Sequence, residues 1–369
     1  EAERTISNNT KFNVNVTSKT TTNKTVNITA KSNIPNDVVQ GKLLFILPNG
    51  TQIEATYGSN GTWWAEHTFN AYGEYKVNAT YVGLDNVTVN NGTITINKED
   101  STITLDNVTL DYADSKNVTV TTTGATGIKA NINGTDITVI NSFTIQISGL
   151  KAGTHTLTVT TIPDDDHNPV TASSKIIVNK VESTLTVDDI VFDYDGEGSG
   201  DVSFTGASEV TANVVNQPSA VISISGNKIS VSGLAAGTYT LNVTTVPDEN
   251  HTAVTETTTI TVNKINSTLT LDDVELDYGE SKNITVTTEG ATGITAKIDG
   301  VNVTVNGYTI PISGLSAGNY TLTVTTIADA NHNNITKNAT ITVNKVNATL
   351  TVNDVVLDYG ETKNITVTT

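Results

Sequence analysis

The sequence predicts an all-β chain built from β-sandwiches in tandem. Three observations carry that expectation: the composition, a repeat about eighty residues long, and strict two-residue alternation inside each repeat. Of 369 residues, 142 are Val, Ile or Thr. Two heavy atoms on Cβ stiffen χ1 and suit a pleated surface, whereas good helix formers are scarce here. Charged residues make up 16% of the chain, below the roughly 25% of an average soluble domain. Thr (69) and Asn (42) fill the polar role, so the expected surface is one of hydroxyls and amides with surplus carboxylates.

Charge and missing residue types narrow the function classes. A net charge of -18 opposes nucleic acid or an anionic membrane as main partner, since both recruit Lys and Arg. The absence of Cys removes disulfides, zinc-thiolate sites and thiol nucleophiles. No apolar run approaches the ~18 residues of a membrane helix. The start Glu1-Ala2-Glu3-Arg4 does not read as a signal peptide, and the lack of an initiator Met reads as a processed or excised chain.

Three landmarks recur in register. Ser101-Thr-Ile-Thr-Leu-Asp-Asn-Val-Thr-Leu-Asp-Tyr112 returns at Ser183 to Tyr194, Ser267 to Tyr278 and Ala348 to Tyr359, at spacings of 82, 84 and 81 residues. Ser148-Gly-Leu-Lys-Ala-Gly-Thr154 returns at Ser232 to Thr238 and Ser313 to Asn319. Val178-Asn-Lys-Val181 returns at Val262 to Ile265 and Val343 to Val346.

Within the first clear repeat, strands are expected in order at Ile103 to Tyr112, Lys116 to Thr122, Ile128 to Ile132, Ile137 to Ile140, Phe143 to Ile147, Thr154 to Thr160 and Thr171 to Val178. Gly, Asn and Asp clusters separate them. In Thr154-His-Thr-Leu-Thr-Val-Thr160 the His, Leu and Val share one face and the Thr residues the other, as in a half-buried antiparallel strand. About seven short strands in ~80 residues is a sandwich count.

The expected domains are 1–98, a divergent copy; 99–180, 181–264 and 265–345, three repeats; and 346–369, the start of a further copy. The divergent copy shares Gly73-Glu-Tyr-Lys-Val77 and Ile94-Thr-Ile-Asn-Lys98 with the others. Two or three strands cannot close a core, so the natural protein is expected to continue past Thr369. Nearly linker-free junctions at Lys180, Lys264 and Lys345 predict an extended rod.

These landmarks resemble the bacterial immunoglobulin-like repeat found in tandem in surface adhesins. The shared marks are the Ser-Thr-Leu-Thr opening, the Gly-Leu-x-Ala-Gly-Thr-Tyr corner, the Asp-bearing loop after the following strand, and the Val-x-Lys ending. The Asn-Val-Thr and Asn-Ile-Thr runs look especially like the large adhesin-like proteins of methanogenic archaea. The resemblance covers nearly the whole chain. It implies tandem immunoglobulin-like β-sandwiches at a cell surface, extracellular and non-enzymatic, used as stalk or binding head; fold alone does not choose between them.

Candidate sites follow from the repeat. Tyr75, His155, Tyr239 and Tyr320 occupy the corner where a ring bonds back to upstream backbone. The loops Asp164-Asp-Asp-His167, Asp248-Glu-Asn-His251 and Asp329-Ala-Asn-His332 are turns in which Asp and Asn bond their own backbone, or calcium loops presenting Asp164, Asp166, Asp248, Asn250, Asp329 and Asn331. Calcium is the one cofactor raised. Acids near each repeat start, such as Asp188, Asp189, Asp272 and Asp273, are solvated, blunt a sheet edge, or share an ion with the preceding unit. Lysines such as Lys116 and Lys282 are solvated at strand ends, or join the Lys-to-Asn cross-links that some surface adhesins carry.

Trp63 and Trp64 are adjacent on an alternating strand and must face opposite ways. Trp63 is expected in the core. Trp64 is expected outside, where an indole stacks on sugar, anchors a protein partner, or packs on a neighbouring unit. Sequons number 22, above the ten or so that chance gives. Alternation points the acceptors outward; Asn60, Asn78, Asn117, Asn133, Asn242, Asn283, Asn302, Asn319 and Asn364 are candidates. The repeat from Ser183 to Lys264 carries only Asn242 and Asn250.

The residues therefore point to an adhesin stalk for attachment to a polysaccharide or protein on another cell. The alternative is a stalk, sheath or filament subunit pairing with copies of itself through sheet edges. No nucleophile elbow, His pair or singular acid pair argues for an enzyme within these residues.

Overall fold

The computed structural model describes residues 11–36 and 41–368. The Glu1-Ala2-Glu3-Arg4 start lies outside the described residues. No helix occurs among the described residues, and therefore none is long and apolar enough to cross a membrane. The chain divides into two compact units, Glu1–Asn179 and Lys180–Thr369. Each contains two hydrophobic cores.

In the first unit, one core gathers Phe12, Val14, Ile28, Leu43, Phe45, Trp63, Val77 and Ile94 between two five-stranded sheets. Alternation builds it: Phe12–Val16 reads buried, exposed, buried, exposed, buried. Phe12–Val16 runs parallel to Val87–Asn90, and Lys19–Thr21 runs parallel to Gly92–Ile96. The second core gathers Val108, Leu110, Ile128, Ile145, Leu157 and Ile176. One of its sheets orders Val108–Asp111, Thr171–Asn179, Gly153–Pro163, Ala125–Ile132 and Thr135–Ile137; the facing strands are Lys116–Thr119, Thr144–Ile147 and Val139–Asn141. Each fully buried Ile or Leu contributes roughly 1.5–3 kcal/mol.

In the second unit, the core of Ile190, Val202, Ile229, Leu241 and Ile260 lies between two four-stranded sheets. The core of Leu269, Ile294, Ile310, Leu322 and Ile341 repeats the pattern. Thr351–Val352 pairs with Val367–Thr368, while Val356, Leu357 and Tyr359 are exposed. Sandwiches of this order, mostly antiparallel but with a strand near the start parallel to the last one, are tandem immunoglobulin-like domains.

Three expected strands are split, among them Ile137 to Ile140, which divides between Thr135–Ile137 in one sheet and Val139–Asn141 in the facing one. The run Ile103 to Tyr112 breaks into Thr102–Thr104 and Val108–Asp111, which pair in different sheets. At the break, Asn107 Oδ1 accepts the Lys175 backbone N–H at 2.9 Å. Asp189 Oδ1 accepts that of Thr259 at 2.9 Å, and Asp273 Oδ1 that of Thr340 at 2.7 Å. A side-chain oxygen thus replaces the ladder carbonyl where the strand changes sheets. Similarly, Lys116–Thr119 and Thr121–Thr123 separate at buried Val120.

Candidate functional site

The corner residue closes the same bond in every sandwich. Tyr75 OH donates to the Ala71 carbonyl at 2.7 Å, Tyr239 OH to Ala235 at 2.8 Å, and Tyr320 OH to Ser316 at 2.8 Å. His155 substitutes with Nε2, 2.8 Å from the Lys151 carbonyl. That carbonyl only accepts, so Nε2 carries the proton, and Nδ1 accepts from Asn133 Nδ2 at 2.9 Å.

The Asp-x-Asx-His loop forms a knot three times over. Asp164, Asp248 and Asp329 each turn Oδ1 onto the backbone N–H two residues on, at 2.9, 2.8 and 2.8 Å. The same oxygen accepts Nδ1–H of His167, His251 or His332 at 2.6 Å. Each imidazole lies over a glycine held at φ near +70°: Gly124, Gly206 or Gly290. That glycine's carbonyl accepts the Asp backbone N–H at 3.2 Å in all three.

A buried serine completes each knot. Ser101 Oγ reaches the carbonyls of Gly124 and Asn168, and Ser183 Oγ those of Gly206 and Thr252. Ser267 Oγ meets Thr326 Oγ1 and the Asn333 carbonyl. The serine hydroxyls are thus engaged by backbone carbonyls, and that of Ser267 by Thr326 as well. Each repeat's opening residues are clamped by its own loop: Glu99–Asp100 pairs in parallel with His167–Asn168, Val181–Glu182 with His251–Thr252, and Ile265–Asn266 with His332–Asn333.

The loop's third residue reaches the preceding sandwich within a unit. Asp166 Oδ1 takes Lys24 Nζ at 2.9 Å and Tyr72 OH at 2.7 Å, with Lys24 also 4.3 Å from the Tyr72 ring centre. In the second unit Asn331 Oδ1 accepts the Ala236 N–H at 2.9 Å, and the Tyr194 ring stands edge-on to His332. Asn250 is buried, at 9% exposure, and its carbonyl accepts the Val181 N–H. Among the described residues, no three carboxylate or imidazole groups converge as a metal-holding set.

These bonds set the acid response. The His hydrogen bond holds the carboxyls of Asp164, Asp248 and Asp329 below their ordinary 3.8. A lowered carboxyl contributes stability above 3.8 that is lost as pH falls through its folded value. Burial instead lowers His67, so protonating it opposes folding below its ordinary 6.5. In an acid titration the first sandwich, which holds both tryptophans, should loosen before the repeats do. Trp fluorescence followed against far-UV circular dichroism checks the order.

The remaining candidates fall at defined places. Trp63 is 2% exposed and Trp64 41%. Trp64 stands opposite Thr29 and Thr56 on the outer face. Lys116 and Lys282 donate to the carbonyls of Thr109 and Glu275. Of the sequon acceptors, Asn60, Asn78, Asn117, Asn133, Asn283, Asn302, Asn319 and Asn364 are exposed. In the repeat from Ser183, Asn242 keeps the outer face of its strand but is half-buried, and Asn250 is buried in its knot. Asn133 is exposed but occupied, since its Oδ1 accepts the Thr156 N–H while Nδ2 serves His155.

The sequence missed the knot because its parts are scattered. Gly124 and His167 stand 43 positions apart, and Lys24 and Asp166 are 142 apart. The phase-locked return of Ser, Gly and Asp-x-x-His in all three repeats was the available signal.

No family model matches the chain. It is 30% identical over 272 residues to halomucin of Haloquadratum walsbyi, a match covering 71% of this chain and 3% of halomucin. Among solved structures, the ICAM-5 D1–D4 ectodomain fragment is similar at 12% identity with a TM-score of 0.35, covering 90% of this chain and all of that one. Sidekick-1 immunoglobulin domains 1–5 are similar at 13% identity and 0.31, covering 89% and 79%.

Proposed function

We propose that the chain is a non-enzymatic segment of an extracellular, cell-surface adhesin: a stalk of immunoglobulin-like sandwiches serving attachment to a polysaccharide or protein on another cell. The observation that carries this reading is the parallel pairing of incoming and outgoing strands in all four sandwiches. In one repeat Val108, Thr109, Leu110 and Asp111 stand beside Ile176, Ile177, Val178 and Asn179. Tension on the chain pulls these strands in opposite directions along their length. Every ladder bond is then loaded at once instead of opening one by one, as a load-carrying stalk requires. Outward Trp64 supports a contact point for sugar or protein, and the exposed sequons support a glycosylated surface.

Single-molecule force spectroscopy tests the stalk. About 80 residues at ~3.3–3.6 Å each gives steps near 250 Å once the folded length is subtracted. Four such abrupt steps are expected, and smooth extension without them overturns the reading. Free sheet edges favour a second reading, a filament or sheath subunit. Open filaments need two different edges per chain, whereas one self-pairing edge closes at two copies.

A further inference from the structure

One repeat differs from its neighbours along one side. In the second sandwich, Ala125–Ile132 is followed by a hairpin, and Thr135–Ile137 covers its free edge. In the fourth, Val301–Val303 covers Ala291–Ile298 in the same way. The turns are Asn133-Gly134 and Asp299-Gly300, with φ of 51° and 84°, and of 45° and 83°. Positive φ at both central residues is the tight turn whose twist matches a hairpin.

In the third sandwich the first turn position is Val215, aligned by its N–H to Thr240, as Asn133 bonds Thr156 and Asp299 bonds Thr321. A β-branched residue resists the left-handed region, and Val215 has no positive φ. The chain runs on through Asn216-Gln217-Pro218 and joins the opposite sheet as Val221–Ser225. Ala207–Val214 is thereby left as an eight-residue edge, in a sheet ordered Ile190–Asp193, Thr255–Asn263, Gly237–Pro247, Ala207–Val214. Every second residue of such an edge offers N–H and C=O to a further strand.

Two further observations fall on this side. Val215, Val221 and Ile224 are exposed, Val221 at 61%. From Ala207 to Ser225 no sequon occurs, whereas the covering hairpins of the neighbouring repeats carry Asn133 and Asn302. The repeat that lacks the covering strand also lacks the candidate glycan that would block it.

We infer that Ala207–Val214 is a homophilic interface, pairing antiparallel with the same strand of a second copy across a two-fold axis. The edge is self-complementary when Thr211 faces Thr211. Outward Glu209 then meets Asn213 of the second copy, and inward Val210 meets Ala212, so no like charges oppose. In a chain of charge -18, a stretch that brings no two carboxylates together is where copies can approach. The closed pair goes beyond the stalk reading and also differs from the filament alternative.

The test uses the whole chain in solution, with no surface or glycan present. Sedimentation equilibrium should show a monomer–dimer equilibrium that tightens as salt screens the net charge. Thr211→Lys, at an exposed position, should weaken the dimer at least tenfold with its circular dichroism unchanged. Because the chain has no Cys, Thr211→Cys should give a covalent dimer on air oxidation, since facing Cα atoms about 4.5–5.5 Å apart suit a disulfide. Asn213→Cys, opposite Glu209, should not. A monomer at all concentrations to about 1 mM, open filaments, or a dimer indifferent to Thr211→Lys would each overturn the inference. None of these outcomes touches the single-chain force experiment.

Discussion

Trp63→Ala should cost about 3–5 kcal/mol, the range for deleting a large aromatic from a packed interior, and should unfold the first sandwich well below the melting temperature of the intact chain. Trp63 is 2% exposed, stands edge-on to Tyr57 at 4.8 Å and to Tyr81 at 5.8 Å, and donates Nε1–H to Ser32 Oγ at 3.1 Å. Removing it opens a void among these rings and leaves the Ser32 hydroxyl without its indole donor. Trp64→Ala, one residue on and on the outer face, should stay within about 0.5 kcal/mol. Thermal melts of the two variants separate these roles; equal losses would contradict the facing of the strand.

Gly290→Ala should destabilise its repeat by roughly 2–5 kcal/mol. An L-residue in the left-handed region costs about 1–2 kcal/mol, and overpacking adds about 1–3. Here a Cβ would sit 2.4 Å from the His332 ring. The ring must move, and moving it breaks the bond to Asp329 and the contact with Tyr194. Gly300→Ala provides the control in the same repeat: φ is +83° and nothing lies within 4 Å, so only the backbone cost applies. Denaturant midpoints for the two variants should differ by the cost of displacing the knot. Equal midpoints would mean that His332 yields freely.

Much of the architecture was legible because alternation and phase-locked landmarks report on local geometry. The Gly-Leu-x-Ala-Gly corner placed Tyr239 and Tyr320, and even placed His155 in the same role. Parity alone separated Trp63 from Trp64. The split of Ile103 to Tyr112 between two sheets was not legible. Its only mark is a one-residue slip in the alternation, from Ile103 and Leu105 to Val108 and Leu110, and the stabilising bond joins Asn107 to Lys175, 68 residues away. Likewise Asp166 read as a turn or cation residue, because Lys24 and Tyr72 approach it only through the tertiary fold. The uncovered edge had a sequence mark, Val215 where the neighbouring repeats have Asn133 and Asp299. Its meaning needed the strand pairing.

The outward rows of the sheets have a consequence for the medium in which the chain can work. Thr25 with Thr68, Thr160 with Thr171, Thr184 with Thr205, Thr244 with Thr255 and Thr325 with Thr336 join hydroxyl to hydroxyl across neighbouring strands, at 2.6 to 2.9 Å. Dissolved ions shorten the reach of charges, to about 8 Å at physiological strength and about 3 Å at 1 M, but neutral hydroxyl pairs present nothing to screen. Cross-strand cohesion of this kind is indifferent to whether the surroundings are fresh water or brine.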